Sequence, residues 1–318
     1  MTESRTISVV IPAYCEQVQL PVVVAAVEHE LDALELGYEI IVVDDGSTDG
    51  TWQAIEALAT RHTRVRGIRL TRNFGKEAAL SAGLEDARGD GVIVMDGDMQ
   101  HPPALIPQMV ESWLAGEGQV VEAVKEHRGE EPLSATLGAK AFYSLSSWLT
   151  GYDLRRSTDF KLLDRTVVDT WGQLGERSLF FRGMIVWLGF DRVQIPFSVS
   201  TRGGGTSGWS LFSLVGLAVT AVTAFSSFPL RILTLAGLAF LAGAILLFAN
   251  TLYQWYTGVD VTGFATVIIL LLIIGSAVMI GLGVVGEYVA RIYQEVKGRP
   301  RYVAAARCGA PSALPRRS

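Results

Sequence analysis

Two aspartates separated by one glycine follow an apolar run in GVIVMDGDMQHPP, the stretch that covers residues 91–103. Aspartate and glycine favour turns, so one interpretation of Asp96 and Asp98 is an ordinary polar turn. The other is a cation site, because carboxylate oxygens prefer hard divalent ions such as Mg²⁺ or Mn²⁺, which often link a protein carboxylate to a diphosphate. Side chains two residues apart on an extended segment share a side, so both carboxylates can face one ligand.

The position of this turn in the predicted fold strengthens the metal hypothesis. Four short apolar runs, ISVVIPAY, YEIIVVDD, VRGIRL and GVIVMD, alternate with segments of helical periodicity. This rhythm, with strands apolar on both faces, predicts an α/β fold with a parallel sheet covered by helices. In such sheets ligands bind beyond the carboxyl ends of the strands. Asp44 and Asp45 end the second run, so they are expected at the same edge as Asp96 and Asp98.

Other ligand sites are disfavoured by the sequence. The first run is not followed by a G-x-G-x-x-G turn, which argues against a dinucleotide site. GGGTSGWS, residues 203–210, has the glycine spacing of a P-loop, but Trp209 stands where the lysine must be, so we interpret it as a flexible loop. His101 could ligate a metal, although a structural or exposed role is favoured. The net charge of −5 argues against a nucleic-acid partner. Cys15 and Cys308 are far apart and are predicted to be reduced thiols.

The hydrophobic residues are concentrated in the last third of the chain. Residues 231–255 and 262–286 are almost uncharged, and each run exceeds the about 20 apolar residues that a helix needs to cross a bilayer core. Residues 209–228 are also apolar, but their hydroxyl groups recur at near-helical spacing before Pro229, which favours a helix lying in the membrane interface. From residue 291 onward, seven Lys or Arg face a single acid. The positive-inside rule therefore favours two spans, since three would put this basic tail outside.

These patterns predict five consecutive segments. Residues 1–205 form a cytosolic catalytic domain, 206–229 an amphipathic interfacial segment, 230–256 and 261–286 two transmembrane helices, and 287–318 a cytosolic basic tail. The N-terminal sequence MTESRTISVVIP lacks the basic start and apolar core of a signal peptide. We therefore predict a multi-pass protein of the plasma (inner) membrane with its catalytic domain in the cytosol.

Seven motifs give the chain a specific resemblance. They are VVIPAYCE, VVDDGSTDGT, TRNFGKEAALSAGL, VMDGDMQHPP, STDFKLLDR, FFRGMIVWLGF and GEYVARIYQEVKGRPRYV, in this order. Together they resemble the family 2 inverting glycosyltransferases, and more narrowly the polyprenyl-phosphate glycosyltransferases, which include bactoprenol glucosyltransferases and dolichol-phosphate mannose synthases. The likeness covers residues 7 to about 303. It implies a GT-A catalytic domain with a Rossmann-like, mostly parallel sheet, followed by an interfacial helix and two transmembrane helices.

The resemblance also implies roles for individual residues. The nucleotide would contact Pro12, Tyr14, Glu16, Asp45 and Asp96. The metal and diphosphate would be held by Asp96, Asp98 and Gln100, with Asp98 the favoured direct ligand, and Asp159 would be the candidate catalytic carboxylate beside it. The acceptor phosphate would lie near Arg202, with help from Lys125 and Arg128. Two positions depart from the family pattern: Cys15 stands where Asn is usual, and Gly208 where relatives often carry Lys, which weakens the assignment of phosphate-binding groups in that loop.

The implied reaction moves a sugar from a nucleoside diphosphate to polyprenyl phosphate, for example undecaprenyl or decaprenyl phosphate, with inversion and with Mg²⁺ or Mn²⁺. UDP-glucose is the donor that family frequency favours, and GDP-mannose, a UDP-N-acetylhexosamine or an aminoarabinose donor are the alternatives. The expected partners are the sugar nucleotide, the lipid phosphate, the bilayer and further copies of the chain, since relatives with this arrangement assemble as tetramers. The product would be a lipid-linked monosaccharide for glycosylation of the cell envelope.

Three alternative functions and one structural role for Asp159 are considered at this point, and of these a soluble-type nucleotidyltransferase is disfavoured by the apolar last third of the chain. A processive polysaccharide synthase shares the fold, but its Q-x-x-R-W pattern is absent from the sequence. A non-catalytic membrane scaffold would be expected to have lost some of the acidic residues, all of which are present. Asp159 itself could be a helix N-cap or a salt-bridge partner of Arg155, Arg156 or Arg165. Because the acceptor phosphate is already an anion near neutral pH, we expect Asp159 to orient or polarise rather than to deprotonate.

Overall fold

The computed structural model describes residues 5–99, 101–125, 158–176, 180–197, 228–257, 263–312 and 314. The chain divides into two compact units. The sheet unit comprises Met1–Gly138, Tyr152–Gly205 and Arg299–Ser318, and the helical unit comprises Ala139–Gly151 and Thr206–Gly298. The predicted interfacial segment lies almost entirely outside the described residues, as do Gln100, Arg128 and Arg202.

An eight-stranded sheet forms the sheet unit, with the strand order β7-β5-β6-β4-β1-β2-β3-β8. The strands are β1 Thr6–Ala13, β2 Gly37–Asp44, β3 Val65–Leu70, β4 Gly91–Val94, β5 Val120–Lys125, β6 Lys161–Asp164, β7 Arg192–Phe197 and β8 Ala304–Cys308. Only β6 and β8 run against the other strands. This architecture confirms the predicted α/β fold with a mostly parallel sheet.

Helices cover both faces of this sheet. They are α1 Leu20–Asp32, α2 Thr51–Arg61, α3 Lys76–Asp86, α4 Ile106–Leu114, α5 Arg165–Gln173 and α6 Phe181–Trp187, with a single 3₁₀ turn at Pro103–Leu105. The central strands β1, β2 and β4 are buried on both faces, as continuous apolar strands of a covered parallel sheet should be. The core therefore lies on both sides of the sheet, and its carboxyl edge is left for polar side chains.

The strand order reverses direction at β1, because β2 and β3 extend to one side and β4 lies on the other. The β1–β4 ladder stops at the pair Val10–Val94, whereas the β1–β2 ladder continues to the pair Ala13–Asp44. Pro12 lies beyond the last β1–β4 pair, so its missing N–H removes no ladder bond on that side. Ligands of open α/β sheets bind in the crevice at such a reversal. The crevice between the ends of β1 and β4 is therefore where the site is expected.

Two long apolar helices form the described part of the helical unit. They are α7 Phe228–Tyr256 and α8 Phe264–Val296. Each contains a window long and apolar enough to cross a membrane, Leu235–Gln254 and Ile273–Ala290, and none of either window is buried inside the structure. The second helix continues ten residues beyond the boundary predicted at residue 286, because the sequence after it contains no helix breaker until Gly298, whose positive φ of 71° ends the helix.

The predicted basic tail is a structural part of the sheet unit. Ala304–Cys308 pairs with β3 as an antiparallel edge strand, and the Thr71 N–H donates to the Val303 carbonyl at 2.9 Å. Arg307 at this strand also forms a 2.5 Å ion pair with Asp86 at the end of α3. The strand thus enters the sheet beside the carboxyl ends of the parallel strands. It pairs with the backbone groups on the outer side of β3, which would otherwise be exposed.

Close packing between α3 and the sheet gives a test of this fold. A Cβ atom at Gly83 would lie 2.3 Å from Cγ1 of Val10 and 3.2 Å from Cγ2 of Val43, both stiff β-branched side chains. We expect Gly83→Ala to lower the unfolding free energy by about 1–3 kcal/mol. Gly172→Ala on α5, where a Cβ meets no atom within 4 Å, is the matched control and should raise stability by up to about 1 kcal/mol.

Thermal unfolding of the purified full chain in detergent measures both variants. Opposite shifts of the transition midpoint are expected for the same chemical change. An equal shift of both midpoints would contradict the close approach of α3 to β1 and β2.

Candidate active site

Carboxylates from two strand ends converge at the crevice between β1 and β4. Asp96 and Asp98 follow β4 and are half-buried, and Tyr14 and Glu16 follow β1, with Tyr14 47% exposed. The pKa of Glu16 is raised by burial and then by the negative charges of Asp98 and Asp96. The structure therefore brings these three predicted site residues to one place, where negative charge is concentrated.

This donor set fits a hard divalent cation. Carboxylate oxygens are the ligands that Mg²⁺ and Mn²⁺ prefer, and Mg²⁺ usually takes only one or two of them together with substrate phosphates. Within the described part of the chain, no group of three or more His, Cys, Asp or Glu has the geometry of a complete metal site. Asp96 and Asp98 are therefore suited to hold an ion whose other ligands come from a bound diphosphate.

A further carboxylate, Asp159, reaches the same edge because β6 runs antiparallel to β4. Lys161 at the start of β6 pairs with Val94 at the end of β4. The residues that precede β6 therefore continue past the carboxyl end of β4, towards the turn Asp96–Asp98, which we call the acidic turn. Asp159 is 6% exposed there.

Two cations hold the Asp159 carboxylate. Arg182 on α6 donates from Nε to Oδ1 at 2.6 Å and from Nη2 to Oδ2 at 2.7 Å. Lys76 at the start of α3 places Nζ 2.5 Å from Asp159 Oδ2 and 2.5 Å from Asp96 Oδ1. Lys76 thus links the acidic turn to Asp159, and the bidentate geometry of Arg182 fixes the orientation of the carboxylate.

These neighbours determine the charges in the crevice. Burial alone would raise the pKa of Asp159, but the hydrogen bonds and charge of Arg182, followed by Lys76, hold the pKa well below its ordinary value. Burial would lower the pKa of Lys76, but the charges of Asp159 and Asp96 raise it above its ordinary value. Asp159 is therefore an anion, and Lys76 a cation, at any pH near neutrality.

The sequence also makes Asp159 a candidate for a helix N-cap or for a salt bridge with a neighbouring arginine. Asp159 is salt-bridged, but not to Arg165, which donates instead to the backbone carbonyls of Ala87 and Gly89. Arg155 and Arg156 lie outside the described residues. The helix N-cap in this region is Asp164, whose side chain accepts the N–H two residues on. Because Lys76 pairs with both Asp159 and Asp96, these ion pairs reach the turn that carries the metal candidates.

The sequence did not predict Lys76 and Arg182 as partners of Asp159, although both lie in motifs that carry the family resemblance. They are 83 and 23 positions from Asp159 in the chain. The available signal was chemical, since a buried carboxylate needs cationic partners. The chain offers many lysines and arginines, however, and only the fold selects these two.

Asp45, a predicted nucleotide contact, is held by the backbone of the loop that follows β3. Its side chain is buried, and its two oxygens accept the backbone N–H groups of Phe74 and Gly75 at 2.8 and 2.9 Å. Burial, opposed by these hydrogen bonds, raises its pKa. In this structure Asp45 therefore positions the loop that leads into α3 and Lys76, and direct contact with the nucleotide stays a prediction.

The unusual residue Cys15 lies in left-handed backbone conformation, with φ at 57°. Asparagine tolerates this region far better than most residues. The conformation explains physically why Asn is usual at this position. The Cys15 thiol is exposed between Tyr14 and Glu16, and its backbone N–H donates to Oγ of Ser47 at 2.9 Å.

Of the residues predicted for the acceptor phosphate, the structure describes one. Lys125 is the last residue of β5, which runs parallel to β4 because both are antiparallel to β6. It therefore ends at the same edge of the sheet as the acidic turn. Arg128 and Arg202 lie outside the described residues, as does the metal candidate Gln100.

His101 is buried with 5% exposure, so the exposed role is wrong and the structural role stays a prediction. Burial lowers the pKa of its imidazole, although the charges of Asp96 and Asp98 oppose this. The ring is therefore neutral near pH 7.

Glu77 connects the α3 end of the site to Arg182. Its carboxylate accepts the backbone N–H of Phe181 at 2.9 Å, at the first residue of the helix that carries Arg182. Burial raises the pKa of Glu77 to about 7, although the Phe181 hydrogen bond lowers it. The folded protein therefore binds a proton at Glu77 more tightly than the unfolded chain between about pH 4.5 and 7.

This shift predicts a pH dependence of stability. Since the folded state binds more protons in that window, the unfolding free energy should fall as the pH rises from 4.5 to 7. Glu77→Gln keeps an acceptor for Phe181 and removes the titration, so its stability should fall less, by a difference on the order of 2 kcal/mol. Thermal midpoints of the two proteins across this pH range measure the difference. Glu56→Gln, the same change at an exposed position of α2, is the control and should show the pH dependence of the wild type. If the thermal midpoints of Glu77→Gln and the wild type changed in parallel with pH, Glu77 would not be the group responsible.

Known proteins are similar in sequence to this chain along most of its length. The sequence model of glycosyl transferase family 2 matches residues 8–172. An uncharacterised glycosyltransferase of Synechocystis is 37% identical over 302 residues, which cover 93% of this chain and 94% of the relative. A prophage-derived bactoprenol glucosyl transferase of Shigella flexneri is 36% identical over 306 residues, 93% of this chain and 96% of the relative.

A solved structure resembles the chain less closely. Glucosyl-3-phosphoglycerate synthase of Mycobacterium tuberculosis, in complex with Mn²⁺ and UDP, is 25% identical and gives a TM-score of 0.48 over 70% of this chain and 78% of that one. This likeness is too low to assign site residues. The family match over more than half of the chain and the identity to full-length relatives are sufficient by themselves: the chain belongs to glycosyl transferase family 2 and is a glycosyltransferase.

Proposed function

We propose that this glycosyltransferase moves a sugar from a nucleoside diphosphate, with UDP-glucose the favoured donor, to the phosphate of a polyprenyl lipid with inversion at the anomeric carbon. The observation that carries the proposal is that the chain combines an acidic crevice at the carboxyl ends of β1 and β4 with two helices long and apolar enough to cross a membrane. A water-soluble donor and a lipid acceptor can meet only at the membrane surface, so a chain that combines such a crevice with apolar spans suits both.

The donor end of the reaction is assigned to the crevice beyond β1 and β4. Asp96 and Asp98 would hold Mg²⁺ or Mn²⁺, which when bound offsets the charge that builds up on the departing diphosphate. Tyr14 and Glu16 border the same crevice and are available to the nucleotide. Without a bound cation, the negative charge of this crevice would repel a diphosphate. A cation held by Asp96 and Asp98 would remove that repulsion, so these carboxylates are compatible with a diphosphate substrate.

The chemical step needs no proton transfer. An oxygen of the acceptor phosphate forms a bond to the anomeric carbon, and the bond from that carbon to the diphosphate breaks, with the electron pair leaving on the nucleoside diphosphate. A phosphate monoester has its second pKa at about 6, so the acceptor is a dianion at neutral pH. Asp159 would then orient Lys76 and Arg182, whose positive charges stabilise the phosphate groups of the reactants.

The return of the chain to the sheet supports a topology of two spans. β7 precedes the apolar helices, β8 follows them, and both belong to one sheet. A chain that leaves and re-enters the same folded unit crosses a membrane an even number of times. With α7 and α8 as the spans, the catalytic unit and the residues after α8 lie on the cytosolic side, in agreement with the basic residues there.

The names of several relatives support the acceptor and the sugar. The Shigella proteins and the Escherichia coli homologue that resemble this chain at 35–36% identity are named bactoprenol glucosyl transferases. They align over 96–98% of their own length and 93% of this chain. On this basis we also propose that the product is a lipid-linked glucose and that the protein lies in the plasma membrane, and the homo-oligomer stays a prediction.

Purified full-length protein tests the proposal directly. It is incubated with polyprenyl phosphate, Mn²⁺ and labelled UDP-glucose, with GDP-mannose, UDP-N-acetylglucosamine and a UDP-aminoarabinose in parallel, and the organic extract is separated by chromatography. We expect one lipid-linked monosaccharide from UDP-glucose, and no product from the polyprenol that lacks the phosphate. The anomeric coupling constant of the product, measured by NMR, reports inversion.

Other outcomes would support the competing functions. A product that lengthens with time would indicate a processive synthase. No transfer from any sugar nucleotide, in protein that is folded, would overturn the proposal in favour of a non-catalytic membrane component.

A further inference from the structure

The turn that carries Asp96 and Asp98 is held in place by the buried side chain of His101. His101 lies three residues after Asp98 and is buried, and its Nδ1 accepts the backbone N–H of Asp96 at 3.2 Å. An Nδ1 that accepts a hydrogen bond carries no proton, so the ring is the neutral tautomer with its proton on Nε2. This hydrogen bond fixes the backbone of the residue from which the acidic turn begins.

The same ring also contacts the segment that carries Asp159. The imidazole stacks on Phe160, with ring centroids 5.3 Å apart and planes 24° apart. Phe160 is completely buried, and its carbonyl accepts the N–H of Ala123 on β5 at 3.0 Å. The partner of the His101 ring is therefore rigid, and Phe160 directly follows Asp159 in the chain.

A single side chain thus spans the two halves of the site. One edge of His101 bonds to Asp96, and one face packs on the neighbour of Asp159. Lys76 also links the two halves, because it pairs with the carboxylates of Asp96 and Asp159, and 39% of its side chain is exposed. A flexible lysine can follow either carboxylate, whereas a buried ring between a backbone amide and a fixed phenylalanine has one position.

We propose that His101 is a positioning residue that sets the place of the Asp96–Asp98 turn relative to Asp159 and thereby sets the affinity of the turn for a divalent cation. The inference rests on the proposed function, because it takes the turn to be the cation and diphosphate site. Groups that hold metal ligands in place typically change metal affinity 10- to 100-fold when replaced.

Two substitutions separate the hydrogen bond from the ring. His101→Phe keeps a ring to stack on Phe160 and removes the acceptor for the Asp96 N–H. His101→Asn loses the ring but places an amide oxygen close to the position of Nδ1, so it can still accept that hydrogen bond. The matched control is Trp113→Phe, which removes the 2.9 Å hydrogen bond from Nε1 to Asp164 and also keeps an aromatic ring. Asp164 pairs with Gly91 at the opposite end of β4, away from the acidic turn.

Binding of Mn²⁺ to the purified full chain, followed by electron paramagnetic resonance with and without UDP, is the measurement. His101→Phe should weaken Mn²⁺ binding by about 10- to 100-fold. His101→Asn should bind Mn²⁺ more nearly like the wild type than His101→Phe does, and Trp113→Phe should bind it like the wild type even if it is less stable. Thermal unfolding and circular dichroism report whether each variant is folded.

The outcomes decide between this inference and its alternatives. Wild-type Mn²⁺ affinity in folded His101→Phe would overturn the positioning role, as would equal losses in the Phe and Asn variants. Failure of the wild type to bind Mn²⁺ would overturn it too. If Mn²⁺ binding responds as expected but no sugar reaches polyprenyl phosphate, His101 keeps its role and only the proposed acceptor is wrong.

Discussion

Replacing Asp98 by alanine is expected to lower sugar transfer by about 10³-fold or more, because several kcal/mol of stabilisation of the departing diphosphate depend on the bound cation. Asp98 is half-buried at the turn after β4, and its charge is one of those that raise the pKa of Glu16. Removing it takes away the proposed metal ligand without opening a cavity in the apolar core. The fold and the insertion of the protein into the membrane should therefore be preserved.

Rates of transfer at saturating donor, together with Mn²⁺ affinity, measure this effect. Asp169→Ala is a matched control, since that aspartate is 59% exposed on α5 and pairs only loosely with Arg165, at 3.5 Å. It should leave transfer unchanged, as surface ion pairs of this kind contribute little. Turnover of Asp98→Ala at the wild-type rate would remove the argument for a metal site at this turn.

The parts of the site that could be predicted from sequence are those that lie next to a strand end. Tyr14, Glu16, Asp96 and Asp98 follow β1 and β4 directly, and the parallel arrangement of these strands requires their carboxyl ends to share an edge. Local pattern and topology are enough to bring such residues together. No knowledge of side-chain packing is needed.

The residues that could not be predicted come from long-range packing. Lys76 and Arg182 reach Asp159 because β6 enters the sheet antiparallel and α3 and α6 begin beside its start. Nothing in the local sequence of either residue distinguishes it from a solvated cation. The role of His101 likewise depends on a ring contact with Phe160, which is 59 positions away in the chain.

The C-terminal strand illustrates a different limit of sequence reasoning. Ala304–Cys308 has the sequence AAARC, which shows neither the β-branched residues nor the alternation that mark a strand. It is a strand because the edge of β3 offers unpaired backbone groups. A propensity argument therefore reads it as a tail, and the correct assignment needs the partner strand.

Substituting Asp159 by asparagine is expected to reduce kcat by about 10²–10³-fold while keeping the shape of the pH–rate profile. The amide keeps the size of the carboxylate but leaves Lys76 and Arg182 facing each other without the anion between them. Both cations would then shift, so the loss should appear in kcat more than in donor binding. Because the pKa of Asp159 is below its ordinary value of 3.8, its ion pairs stabilise the fold at every pH above that value and are lost only on stronger acidification.

Comparison of pH–rate profiles distinguishes orientation from base catalysis. A carboxylate held so strongly as an anion is a poor proton acceptor, and a dianionic phosphate has no proton to give up. Adding Lys76→Met to Asp159→Asn removes one of the two cations that the carboxylate had held, and it should not recover transfer. Asp164→Asn at the far end of β6 should leave transfer near the wild-type rate. A rate for Asp159→Asn that climbs towards the wild-type value as the pH rises would instead mean that solvent base replaces the carboxylate, and that Asp159 removes a proton after all.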